Sequence, residues 1–323
     1  MKKILKIFLP LAFGIGLLAY FLKGFTAEQL ESVRKSVASA DLRMLFLSVV
    51  LGVLSHVIRA LRWEYLLEDF TDRPLKKWNL IFSVGLSYLV NLGIPRSGEV
   101  ARAVTLSKYE GLPFAKVMGT VLAERVVDLV MLALFIMAGL ALEHHLIYDM
   151  VQQHFPRIAS FRLVILPLIG IAGAAALAAY VQKSQSGIAL RIKKFSKDIF
   201  TGLGAVLHSP HKLRFLFQTL VIWILYVLML YVVMLGFDGT KDLPTRAVLT
   251  TFIAGSLSIV LSNGGIGTYP VFVTETLLLY GVSKEEGFAF SITMWSAQTL
   301  ILILFGLFSL LMLPVVNRDR EAV

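Results

Sequence analysis

Residues 91–102 read NLGIPRSGEVAR and follow the apolar run WNLIFSVGLSYLV at 78–90. The hydrophobic segment stops on Pro95, and the chain then places Arg96, Glu99 and Arg102. Proline inside a helix removes a hydrogen bond and kinks or breaks it, and Gly93 and Gly98 loosen the backbone on either side. The fold turns on whether this segment crosses a membrane or turns back inside one.

The flanking composition sets the frame. Hydrophobic residues make up 57% of the chain and charged residues 16%, which excludes an ordinary soluble domain. Apolar windows long enough to cross a bilayer lie near 4–22, 42–61, 114–142, 161–181, 214–236 and 288–316. Two more are irregular: 78–94 is short and ends in GIP, and 246–281 is interrupted by SNGGIGTYP. The basic start MKKILK and apolar core 7–22, with no small-x-small site after them, read as an uncleaved first helix. Cysteine is absent, so disulfides, thiolate metal sites and thiol chemistry are excluded. The net charge of +10 reads as basic loops facing anionic lipid and not as a nucleic-acid surface.

The distribution of Lys and Arg decides the direction of the irregular segments. With Lys2, Lys3 and Lys6 in the cytoplasm, the second helix returns Arg59, Arg62, Arg73, Lys76 and Lys77 to that side. A full crossing by 78–94 would then strand Lys183, Arg191, Lys193, Lys194, Lys197, Lys212 and Arg214 outside. A re-entrant 78–94 keeps them inside, together with both termini. Residues 183–213 contain a basic amphipathic segment, with Ile188, Ile192, Phe195, Ile199, Leu203 and Val206 at helical spacing, suited to the cytoplasmic leaflet.

Residues 83–140 also align with 253–310 at a constant offset, pairing Gly85 with Gly255, Gly111 with Gly281 and Phe135 with Phe305. Each copy runs apolar hairpin, Gly-rich break, amphipathic piece, short turn, long helix. The topology makes the repeat inverted. The expected fold is therefore an all-α polytopic membrane protein, one integral membrane domain over 1–323. It has about six full transmembrane helices and two oppositely oriented re-entrant hairpins, in halves near 78–142 and 246–316. Broken helices in matching positions of inverted repeats mark carriers with a site near the midplane.

The long helix after Pro113 carries Glu124, Arg125 and Asp128 inside an apolar run. Such charges are costly in a bilayer unless they pair or face water. Together with Arg96, Glu99 and Arg102 they balance in sign, as a hydrated network able to trade an internal carboxylate for a ligand phosphate would. A self-satisfied cluster that only pins helices is the structural alternative. The second copy has Met294, Trp295 and Gln298 at the equivalent positions and contributes neutral groups instead: Asn263, Gly264, Gly265, Gly267 and Tyr269. Those glycines either expose amides to a head group or only permit a tight hairpin. GGIG lacks the Lys-Ser/Thr of a nucleotide loop. Glu143, His144, His145 and His154 read as a wet loop, with no metal or other cofactor expected. Nothing resembles an enzyme centre.

The run GIPRSGEVARAVTLSKYEGLPFAKVMGTVLAERVVDLV at 93–130, with RALRWEYLL at 59–67 and NGGIGTYPVFVTETLLLYGVS at 263–283, resembles the lysylphosphatidylglycerol synthase transmembrane region, the flippase-like integral membrane family. The best-known members add a cytoplasmic aminoacylating domain. This sequence holds no such domain, so the resemblance implies lipid movement between leaflets and not lysyl transfer. The expected function is a lipid flippase-like transporter in a bacterial or archaeal cytoplasmic membrane. It would take an anionic, phosphate-bearing phospholipid or polyprenyl-linked lipid, with Arg96, Arg102 and Arg125 on the head group and Glu99, Glu124 and Asp128 as counter-ions or proton carriers. The alternatives are a non-transporting scaffold for enzymes of lipid or envelope synthesis, and a carrier of small soluble anions.

Overall fold

The computed structural model describes residues 2–94, 97–143 and 209–318, with positions 186 and 206. Among the described residues there are ten α-helices and no strand. In order they are α1 (Lys2–Lys23), α2 (Ala27–Ser39), α3 (Leu42–Glu64), α4 (Lys77–Gly93), α5 (Ser97–Glu110), α6 (Phe114–Leu142), α7 (Lys212–Leu235), α8 (Thr245–Leu261), α9 (Thr268–Leu278) and α10 (Lys284–Val316). Contacts divide the chain into two compact units, residues 1–122 with 209–323, and residues 123–208; the boundary falls within α6.

Local chemistry sets the helix ends. Thr26 opens α2 with a capping box: its hydroxyl accepts from the Gln29 N–H at 3.3 Å, and the Gln29 side chain accepts from the Thr26 N–H at 2.9 Å. Asp41 caps α3 by accepting from the Arg43 N–H at 2.8 Å, and Ser283 caps α10 by accepting from the Glu286 N–H at 3.2 Å. Gly111 and Gly281 follow α5 and α9 at φ of 68° and 81°, a conformation that suits glycine.

Helices α3, α6, α7 and α10 are long and apolar enough to cross a membrane, matching four of the six windows. The window at 4–22 corresponds to α1, and the part of α1 from Leu11 passes the same test only jointly with α2, across a bend of 111°. The window at 161–181 lies outside the described residues, as does most of the amphipathic segment at 183–213. Helices α4 and α8 each have 17 residues, about 25 Å of helix, less than the roughly 30 Å of a hydrocarbon core.

Each short helix is folded against its successor. Glu110, the last residue of α5, lies at the start of α4, where its Oε1 accepts from the Lys76 N–H at 3.3 Å and from the Asn79 amide. In the second pair, Tyr280 beyond α9 donates to Thr250 near the start of α8 at 2.9 Å, and the Tyr269 ring packs on Gly255. The open end of the first pair sits at the C-terminal end of α10. There Asn79 and Asn317 exchange amide hydrogen bonds of 3.1 and 2.6 Å, and Lys76 Nζ donates to the Val316 carbonyl at 3.1 Å. The open end of the second pair leads directly into the N-terminal end of α10. The 33 residues of α10 put about 50 Å between those two ends.

Between helices in lipid, packing and polar contacts replace the hydrophobic driving force. Gly85 of α4 faces Ser309 and Phe305 of α10, and Gly306 of α10 faces Leu89 and the Gly85 carbonyl, so a Cβ at either glycine would collide. Helix α1 meets the second break the same way: Gly14 lies on the Ile266 carbonyl and Gly267 on the Gly14 carbonyl. Around these contacts Leu230 and Val233 of α7, Val273 and Leu277 of α9 and Phe290 of α10 form a buried cluster.

Candidate functional site: two helix breaks and a buried row of arginines

The first break is held by its own polar side chains. The Gly98 N–H donates to Asn91 Oδ1 at 2.7 Å, and Ser97 Oγ lies within hydrogen-bonding reach of the Ile94 carbonyl and of the Val90 carbonyl at 3.3 Å. These bonds satisfy backbone groups that the end of α4 and the start of α5 leave open. A Cβ at Gly98 would strike the Ser87 carbonyl and the Asn91 amide, so only glycine lets α5 return this closely along α4.

The second break uses hydroxyls and left-handed glycines. Ser262 Oγ and Thr268 Oγ1 lie 2.6 Å apart, and Thr268 donates to the Ser258 carbonyl at 3.0 Å. Gly264, Gly265 and Gly267 have φ of 65°, 77° and 73°. Trp295 of α10 donates its indole N–H to the Gly264 carbonyl at 2.9 Å. The two breaks touch: Asn263 Nδ2 donates to the Leu92 carbonyl at 3.3 Å, and Gly264 faces the Leu92 side chain.

Helix α3 carries His56, Arg59 and Arg62 at three-residue spacing, all buried. Arg59 donates through Nε and Nη2 to the Tyr226 hydroxyl at 3.2 and 3.1 Å. Arg62 donates to Thr219 Oγ1 at 2.8 Å, and its guanidinium lies 4.8 Å from the centre of the Phe215 ring. Thr219 and Tyr226 are two turns apart on α7, so one face of that helix serves both arginines. Arg102 reaches α3 from α5, with its guanidinium carbon 3.6 Å from the Trp63 ring centre, and the Trp63 N–H donates to Thr120 at 2.9 Å. Arginine is suited to such stacked, hydrogen-bonded sites by its planar, weakly hydrated head.

The sequence-level candidates fall in several places. Arg96 lies outside the described residues, as does its neighbour Pro95. Glu99 is half-buried and Arg102 buried on α5. Glu124, Arg125 and Asp128 belong to the second unit. Within it Glu124 is buried, whereas Arg125 is exposed and lies 3.8 Å from Asp128. Asn263 and Gly264 reach the junction, Gly265 is buried beside Tyr269, Gly267 is pressed on Gly14, and Tyr269 is buried on Gly255. Arg59 and Arg62, which the charge pattern assigns to the cytoplasmic side, are buried on α3. The usable signal was the spacing of His56, Arg59 and Arg62, which recurs on one helical face up to the end of an apolar window.

A groove of about 610 Å³ runs between α2, α3 and α10, lined by Leu42, Phe46 and Val49 on one side and Ile301 and Leu304 on the other. Its walls are almost wholly apolar. Among the described residues no group of three or more His, Asp or Glu could hold a metal ion.

Comparison with known proteins returns one family. The model of the lysylphosphatidylglycerol synthase TM region matches residues 7–306. No curated protein and no solved structure matches the chain.

Proposed function

We propose, for a chain that belongs to the family of the lysylphosphatidylglycerol synthase transmembrane region, that it acts as a carrier and not as an enzyme, moving an anionic, phosphate-bearing lipid between leaflets. The observation that carries this reading is the contact of two helix breaks, Asn263 on Leu92, made by pairs whose open ends lie at opposite ends of α10. Two re-entrant hairpins entering from opposite faces would meet in this way. The element bounds support an inverted repeat: the offset of 170 that pairs Gly85 with Gly255 also carries Phe114, the start of α6, onto Lys284, the start of α10. Non-helical backbone at membrane depth is tolerated where it is buried in protein or lines a wet cavity. Arg59, Arg62 and Arg102 supply buried positive charge for a phosphate, and the groove beside α3 suits a hydrocarbon chain. In this reading both termini are cytoplasmic.

One observation favours the scaffold reading. Arg102 is buried and stacked on Trp63, as a residue that only pins two helices would be. Translocation of a labelled anionic lipid in proteoliposomes, measured beside thermal stability, separates the two. Arg102→Lys and Arg102→Gln both lose the planar stack, so both should melt lower by similar amounts. A carrier that uses the charge retains several-fold more translocation with lysine than with glutamine. Translocation that simply follows stability in both variants would return Arg102 to a structural role.

A further inference from the structure

His56 is the first buried polar side chain of the row on α3 that ends in Arg59 and Arg62. It lies on α3 one turn before Arg59. Its ring is 4.6 Å from the Tyr88 ring of α4 and lies parallel to Phe305 of α10 at 6.3 Å. Only 8% of the residue is open, and among the described residues its buried Nδ1 has no hydrogen-bond partner. An apolar side chain of the same shape would fill this slot between two rings without leaving a polar atom unmet. The imidazole is therefore a poor choice for packing alone. Tyr88 lies one turn before Leu92 on α4, and both are half-buried.

We infer that His56 accepts a hydrogen bond from a neutral hydroxyl on the head group of the lipid, while the guanidinium of Arg59 faces the phosphate. The inference rests on the lipid-carrier reading and narrows its substrate class to a phosphodiester with a hydroxylated head. Neutral imidazole presents one acceptor nitrogen. Residues three apart on a helix lie about 5–6 Å apart at Cβ, a separation that a phosphate and the hydroxyl of its own substituent can bridge. The positive charge of Arg59 disfavours an ammonium donor at the same place and leaves a hydroxyl unopposed. The phosphate oxygen in turn gains a charge-assisted bond.

Three synthetic lipids with identical acyl chains test this on the full-length protein in detergent, by binding measured through thermal stabilisation. Phosphatidylglycerol carries the hydroxyls, phosphatidylethanol has the same charge without them, and phosphatidylcholine is the zwitterionic reference. One buried hydrogen bond should make phosphatidylglycerol bind about three- to tenfold more tightly than phosphatidylethanol. His56→Phe keeps the ring between Tyr88 and Phe305 and should abolish that preference while both anionic lipids still bind. His56→Gln restores an acceptor and should recover part of it. Equal binding of the two anionic lipids by the unmodified protein, or a preference that survives in the Phe variant, overturns the inference and leaves the carrier reading standing. No advantage of either anionic lipid over phosphatidylcholine would overturn both.

Discussion

Arg62→Ala should remove about 4 kcal/mol of stability and most of the folded protein. Arg62 is fully enclosed, donates to Thr219 and lies over the Phe215 ring. A hydrogen bond from a charged donor contributes roughly 1.5–3 kcal/mol, and loss of the packed volume adds about 2 kcal/mol or more. Truncation also leaves the Thr219 side chain with one donor fewer at a site closed to water. Arg62→Met fills most of the space and loses only the polar contacts, so it should cost about half as much. Thermal unfolding of the detergent-purified variants measures both. A loss below about 1 kcal/mol for Ala would mean that the α3–α7 contact tolerates an empty site.

Glu110→Ala should cost about 3 kcal/mol, because it strips the acceptor from the start of α4. One carboxylate holds the Lys76 N–H and the Asn79 amide, and Asn79 in turn is locked to Asn317 at the end of α10. Glu110 and Asn317 are both almost fully buried, so water cannot replace the lost acceptor. The damage should be local first, with the backbone amides at the start of α4 exchanging hydrogen faster than those of α7. Glu110→Gln keeps one acceptor oxygen and should cost about 1 kcal/mol. Equal melting of the Ala and Gln variants would show that the open end of the first pair is held by contacts other than this network.

The break between Gly93 and Ser97 could be read from the sequence because its cause is local. A proline removes a helix hydrogen bond, and with glycines and serines clustered around Pro95 the apolar run has a strong local reason to break there. The same holds for the glycine-rich turn at 263–267. What the sequence concealed depends on distant partners. Gly267 needs its shape because Gly14 crosses over it, and Glu110 matters because Asn79 and Asn317 converge there. The burial of Arg59 and Arg62 was not legible either, because the charge rule sorts basic residues near a span end by side and says nothing of what they pack on. The helix in fact continues to Glu64, and burial of Trp63 against Thr120 draws the arginines inward with it.

The absence of native cysteine allows the junction to be addressed directly. Cysteines replacing Leu92 and Asn263 place one thiol on each break, at the point where the Asn263 side chain now meets the Leu92 carbonyl. A short thiol-reactive cross-linker with a reducible centre would join the two pairs. The measurement is translocation of a labelled anionic lipid in proteoliposomes before cross-linking, after it, and after reduction. A carrier that works by separating and rejoining its two breaks should lose most of its translocation when they are tied and regain it on reduction. Complete cross-linking with translocation unchanged would contradict the account, because the two breaks would then not form the moving part of a lipid path.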